Sequence, residues 1–153
     1  MPGTVLSINV SPGGVPKLPI PEALITATGV TGDRQRDLKW HGGADRAVSL
    51  LAMAVIRELQ AAGHPITPGS TGENLTLDGI SAEELQPGMR LQIGAAVLEL
   101  TTWLEPCSRI GGSFSGRKFR VLAHDLHPCR SRIGARVLSA GLVRTGDVVA
   151  VVP

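Results

Sequence analysis

Aromatic side chains make up only 3% of the 153 residues, and tyrosine is missing altogether. Proteins that hold single-stranded nucleic acid stack its bases on aromatic faces, so that class is disfavoured at once. Charge of one sign is also scarce. A net charge of +2 and a pI near 8.8 fall short of the basic surplus a duplex-binding surface carries. Two cysteines cannot build a disulfide framework, and no CxxC pair suggests a zinc ribbon. No apolar run approaches the roughly 20 residues that span a bilayer. Residues 1–20 lack the charged-then-apolar order of a secretory signal. These absences lead to the expectation of a reduced, cytoplasmic protein with neither nucleic acid nor membrane as partner.

What is present fits a folded domain. The hydrophobic fraction is 42% and mean hydropathy +0.16, and the length suits one domain spanning 1–153 with a core of Val, Leu, Ile and Ala. Strands are expected at 4–10, 24–30, 89–93, 95–101, 135–139 and 147–152, with a short one after the glycine loop of Gly69 and Gly72. Residues 16–21 are punctuated by proline and read as extended loop. One main amphipathic helix is expected over about 45–62, where Val48, Leu51, Val55, Leu59 and Ala62 recur at helical spacing. Asp45 would mark its start, with Gly63 and Pro65 closing it. Ser81 to Glu84 reads as a helical turn. Many short strands, dense turns and one main helix give a mainly β chain with a few helices, folded as a closed or nearly closed β-barrel.

Three features carry candidate chemistry. Cys107 follows the 95–101 strand, and Pro106 marks the point where the chain leaves the sheet because it cannot donate to a ladder. Arg109 stands two residues on, and a neighbouring cation favours the thiolate that acts as nucleophile or metal ligand. A small, inert, buried thiol is the alternative reading. From Arg109 onward there are seven arginines and one lysine against Asp125 and Asp147 only, a balance that suits a small anionic ligand. His41-Gly42-Gly43, placed before the expected helix and flanked by Arg46, would offer unshielded N–H groups to an anion, or be an ordinary glycine turn. His124, His127 and Cys129 lie close in sequence, but their spacing matches no common zinc motif.

In order along the chain, Gly32-Asp33, His41-Gly42-Gly43, Gly72-Glu73-Asn74-Leu75, Pro106-Cys107, Ser131-Arg132, Ala135-Arg136-Val137-Leu138 and Gly146-Asp147 resemble the MOSC family, named for the C-terminal domain of molybdenum cofactor sulfurase. The resemblance runs from about Val15 to Val152 and implies a stand-alone β-barrel domain. It implies that Cys107 is the functional thiol, either ligating molybdenum of the molybdenum cofactor (molybdopterin) or carrying sulfur as a persulfide. Lys17, Arg34, Arg46 and Arg132 are its candidates for the cofactor's anionic groups. The His41-Gly42-Gly43 segment could seat the phosphate, and Ser131 falls within the same matched segments. Asn74 could meet the pterin edge or cap its own loop; Glu73 could serve the site or be an ordinary structural carboxylate. Relatives that bind this cofactor reduce N-hydroxylated compounds with a reductase partner. The alternative is a sulfur carrier charged on Cys107 by a cysteine desulfurase, the partner that would hold pyridoxal phosphate.

Overall fold

The computed structural model describes residues 2–33 and 44–153, so the predicted site residues Arg34, His41, Gly42 and Gly43 lie outside the described residues. The strands are β1 (Gly3–Val10), β2 (Leu18–Ile20), β3 (Glu22–Thr26), β4 (Gly29–Val30), β5 (Val48–Ala52), β6 (Leu75–Asp78), β7 (Arg90–Ile93), β8 (Ala96–Leu104), β9 (Arg132–Ser139), β10 (Gly141–Arg144) and β11 (Val148–Val152). Seven of them close a barrel in the order β11-β7-β8-β9-β5-β6-β1, with β1 returning to β11 through Gly3↔Val149 and Thr4↔Val148. Closure leaves those seven without a free sheet edge. β2 extends the sheet from the outer half of β1, and β10-β3-β4 form a small separate sheet.

Alternation explains most of these elements. On β7 and the first half of β8 every second residue points inward, which buries Leu91, Ile93, Ala96, Leu98 and Leu100. The inner layer is almost entirely aliphatic, as expected for a chain so poor in aromatics.

The expected helix over 45–62 is corrected at its start. Residues Ala44–Arg46 make a single 3-10 turn, Val48–Ala52 is β5, and the helix α1 covers only Met53–Ala61. All five residues of β5 are buried, because it lies between β6 (parallel) and β9 (antiparallel) with both faces covered. Such a strand reads as a continuous apolar run, which periodicity cannot tell from a buried helix. No loop separates β5 from α1: Ala52 is the extended N-cap residue and contributes no side-chain cap. The C-terminus is as expected. Gly63, at φ +96°, donates to Gln60 O while His64 N donates to Leu59 O, the paired bonds of a Schellman ending. α1 buries Val55, Ile56 and Leu59, each worth roughly 1.5–3 kcal/mol of transfer free energy. β5, α1 and β6 thus form a parallel crossover unit inside an otherwise antiparallel barrel.

Smaller differences lie in the outer strands. The expected strand over 24–30 is a hairpin, β3 and β4, with Thr28 N bonded to Thr26 Oγ1 in its turn. Residues 141–144, between the expected strands 135–139 and 147–152, form β10, which pairs with β3. Residues 18–20, read as loop, form the short strand β2 on β1.

Candidate functional site

The site is built where β8 leaves the barrel and β9 enters it. Register shifts between Leu100 and Thr102, so Thr101 is an extra residue on β8; its hydroxyl donates to the carbonyls of Asp45 and Gly134. Such a bulge bends a strand and re-aims its next residues. The ladder then closes on Leu104↔Arg132, and the chain continues through Glu105, Pro106 and Cys107 into a 3-10 segment, Ser108–Ser113. Cys107 is half-buried and reduced, and Ile110 N donates to its carbonyl at 3.1 Å.

Arg132, only 7% exposed, lies behind this thiol. One terminal nitrogen donates to Thr71 O at 2.7 Å and the other to Glu105 O at 3.1 Å, which ties the glycine loop to the strand end that carries Cys107. Its Nε–H is shielded from solvent and has no acceptor among the described residues. Burial holds the guanidinium below the ordinary arginine value, while the charges of Glu73, Cys107 and Glu105 oppose that shift. Through Glu105 O the guanidinium is fixed two residues before Cys107.

Glu73 is fully buried. Gly69 N and Thr76 Oγ1 donate to its Oε2 at 3.0 and 2.9 Å, and Thr71 Oγ1 donates to Oε1 at 2.9 Å. Burial raises its pKa, and these hydrogen bonds pull the other way. Gly69 makes the loop close enough to do this. It sits at φ +83°, its carbonyl accepts from Lys17 N, and a Cβ there would press on Lys17 O and the Asn9 side chain.

A second polar cluster adjoins the first. Lys17 Nζ donates to Asp33 Oδ2 at 2.7 Å with both side chains almost fully buried. The same oxygen accepts from Asn74 Nδ2 at 2.8 Å, and Ser11 N donates to Asp33 Oδ1. Asn74 also donates to Asn9 O, while its Oδ1 accepts from Ser49 N and Ser49 Oγ. Asn9 Nδ2 joins the clusters by donating to Glu73 O and Thr76 Oγ1.

Hydrogen bonds thus join Glu73 to Arg132 through Thr71 and link Lys17 and Asn74 to them through Asp33 and Asn9, while Arg132 holds the strand end that leads to Cys107. Asn74 uses both amide hydrogens and its oxygen within the protein, and Glu73 is enclosed by three donors; each acts on the site through what it holds in place. Ser131 Oγ bonds to the carbonyls of Leu104 and Arg132, locking the β8–β9 end. Arg46 lies across Gly134 on β9, with its Cγ 3.5 Å from where a Cβ would stand. No α-helix starts near residue 45, because α1 begins at Met53; the His41-Gly42-Gly43 segment expected to seat an anion lies outside the described residues.

Residues 108–122 cover the site's flank. Ile110, Phe114 and Leu122 anchor them in the core, Ser113 Oγ donates to Ser70 Oγ, and Ser115 N donates to His64 Nδ1. Arg117 donates to Ser108 O and lies against Gly111, where any Cβ would collide with its guanidinium. His124 stacks flat on Trp103, rings 4.1 Å apart, and its Nδ1 accepts from Cys129 N. Among the described residues no group of three His, Cys, Asp or Glu side chains is placed to hold a metal ion. Cys129 lines a separate groove of about 450 Å³ beside α1, with Glu58 and Arg130 at its wall.

Asp33, Asn9, Thr71 and Thr76 were not anticipated as members of this group. Asn9 is buried next to Ile8 near the end of β1, where the strand's alternation of buried and exposed residues breaks; Thr71 and Thr76 carried no signal, because threonine is ordinary in loops and strands.

Comparison with known proteins agrees with this architecture. The MOSC domain model matches residues 37–150. Over 108 residues the chain is 27% identical to protein YiiM of Escherichia coli (strain K12), covering 67% of this chain and 48% of YiiM. Over 111 residues it is 30% identical to YflK of Bacillus subtilis (strain 168), covering 71% of this chain and 50% of YflK. The chain therefore spans about half the length of the curated relatives it matches. Among solved structures, YiiM from Geobacillus stearothermophilus superposes with a TM-score of 0.76 at 22% identity, covering 99% of this chain and 76% of that one. The YuaD protein of Bacillus subtilis gives 0.79 at 19% identity, covering 97% and 94%. With the barrel and its thiol-bearing strand end in place, the chain belongs to the MOSC domain family.

Proposed function

We propose that this chain binds the molybdenum cofactor with Cys107 as the protein's ligand to the metal, and that in this form it reduces N-hydroxylated compounds using electrons from a partner reductase. The family is linked to molybdenum cofactor binding. The observation that carries the reading is the buried Arg132, bonded to Glu105 O two residues before Cys107, with a shielded Nε–H that lacks an acceptor. A buried donor without a partner costs on the order of 1–3 kcal/mol, and an anionic ligand oxygen would remove that cost. The donor set fits as well: a soft thiolate suits molybdenum, and one protein thiolate suffices where the cofactor's own dithiolene supplies further ligands. When bound, the cofactor would supply the redox-active metal. The chain's own residues would do the rest: Cys107 anchors, Arg132 neutralises negative charge, and Lys17, Asp33 and Asn74 keep the floor rigid.

The test is to express the protein in cells that make molybdopterin and measure molybdenum and pterin per chain. Wild type should carry both, and Cys107→Ser should lose the metal while remaining folded. Folded wild-type protein carrying neither refutes the reading.

A second reading is favoured by the half-exposed position of Cys107 at a loop opening. In it, the Cys107 thiolate attacks the terminal sulfur of a persulfide on a pyridoxal-phosphate cysteine desulfurase. The donor thiol leaves, and the new persulfide is delivered to a metal–sulfur or molybdenum cofactor site. Incubation with such a desulfurase should add sulfur mass to Cys107; equal gain by Cys107→Ser rejects it.

A further inference from the structure

Solvent-facing cations on this protein divide into two kinds. Away from the site, arginines pair with carboxylates: Arg57 with Asp78, Arg90 with Glu99, Arg130 with Glu58, Arg136 with Asp45 and Glu99, and Arg144 with Glu22. Directly after Cys107 the pattern stops. Arg109, Arg117, Lys118 and Arg120 are all exposed, none is in an ion pair among the described residues, and residues 106–124 contain no Asp or Glu. Glu105 and Asp125 bracket the stretch from outside.

These four charges sit on a fixed support. Ile110, Phe114 and Leu122 are buried beneath them, and Arg117 is tied to Ser108 O one residue from Arg109. An unbalanced set of cations held on an ordered surface attracts an oppositely charged partner and speeds encounter by roughly 10- to 1,000-fold at low salt. A small cofactor is a poor explanation, since the cations suited to it, Arg132 and Lys17, are the buried ones. Nucleic acid is a poor explanation too, because Phe114 is buried and Phe119, between Lys118 and Arg120, is half-buried against the core, which leaves no fully exposed ring for base stacking among the four.

We infer that the basic stretch 109–120 is a docking surface for an acidic protein that exchanges sulfur or electrons with the site at Cys107. This rests on the reading of Cys107 as the functional thiol, and it specifies the partner's chemistry.

The experiment uses Cys129→Ser protein, so that Cys107 is the remaining thiol. Two synthetic peptides, one rich in Asp and Glu and one neutral, each carry a cysteine activated as the thionitrobenzoate mixed disulfide. Attack by the Cys107 thiolate on the peptide sulfur forms the protein–peptide disulfide and releases coloured thionitrobenzoate, whose rate is measured. The acidic probe should react about tenfold faster at low salt. Its advantage should vanish at high salt and fall to about threefold in a Lys118→Gln/Arg120→Gln variant, with the neutral probe unaffected. Arg109 is kept because it flanks the thiol, and Arg117 because it packs on Gly111. Equal rates, no reaction with either probe, or an advantage undiminished in the double variant overturns the inference. An activated oligonucleotide of matched charge that reacts as fast as the acidic peptide also overturns it, in favour of nucleic acid. Molybdenum and pterin content is measured separately, so failure here is distinguishable from failure of the proposed function.

Discussion

Replacing Asn74 by Ala tests whether the amide is a structural keystone. Asn74 is 0% exposed and makes four side-chain bonds: from Ser49 N (3.1 Å), from Ser49 Oγ (3.3 Å), to Asn9 O (3.2 Å) and to Asp33 Oδ2 (2.8 Å). Truncation leaves the Ser49 N–H and the Asn9 carbonyl buried without these partners, at about 1–3 kcal/mol each. It also takes a donor from the Asp33 carboxylate, which keeps Lys17. The expected loss is about 3–5 kcal/mol, a large part of the 5–15 kcal/mol that holds a typical domain. Urea unfolding monitored by circular dichroism reads it. Asn74→Asp sharpens the test, because it retains the acceptor toward Ser49 but sets a carboxylate against Asp33 Oδ2. Two carboxylates this close cannot both ionise cheaply, so the introduced group's pKa is raised in the folded state. A raised carboxyl means the folded state binds more protons, so the variant's deficit relative to wild type is smallest below the unfolded value of about 4 and grows as pH rises above it. A loss under about 1 kcal/mol for Asn74→Ala, or a pH-independent deficit for Asn74→Asp, would refute the reasoning.

Gly69→Ala should cost about 1–2 kcal/mol for its left-handed backbone, plus a further loss from pressing on Lys17 O and Asn9; Gly63→Ala, at φ +96° with nothing within 4 Å, should show only the backbone part. Equal shifts in urea midpoint would contradict the close packing of the loop. Because the folded pKa of Glu73 is raised above its ordinary 4.5, its contribution to stability falls as pH climbs from that value toward the raised one. Glu73→Gln should lack this fall, and parallel pH–stability curves for the two proteins would count against a buried, proton-retaining carboxyl. Cys107→Ser, at a half-buried position, should change unfolding free energy by less than about 1 kcal/mol, and a larger loss in urea would show the thiol to be a packing element instead.

Much of the barrel was legible because its strands cover one face each: β7 and β8 alternate, and a turn at Gly94 separates them. β5 was not, since burial on both faces erases alternation and its junction with α1 carries no cap. The place of Cys107 just past the end of β8 was legible from Pro106. Arg132 was expected as a ligand for anions, but its burial, its bonds to Thr71 and Glu105 and its orphaned Nε are products of the β8–β9 register, three-dimensional facts that spacing does not encode. Asn74 was open between two roles, and the partners that decide it stand 25, 41 and 65 positions away.

The same physics explains why the polar groups gather at this one end. Elsewhere the barrel is filled by Val, Leu, Ile and Ala, which need no partners. Lys17, Asp33, Glu73 and Arg132 each lose hydration when buried, and an aliphatic replacement of similar volume would remove that cost. Their hydrogen bonds offset it almost completely: Glu73 has three donors, Asp33 has three, and Lys17 has its carboxylate. Arg132 Nε is the one buried side-chain polar atom among the described residues left over, and it belongs to the cation bonded to Glu105 O, two residues before Cys107. A network satisfied everywhere except at that one N–H leaves a donor whose burial cost an acceptor oxygen would remove, most of all a negatively charged one.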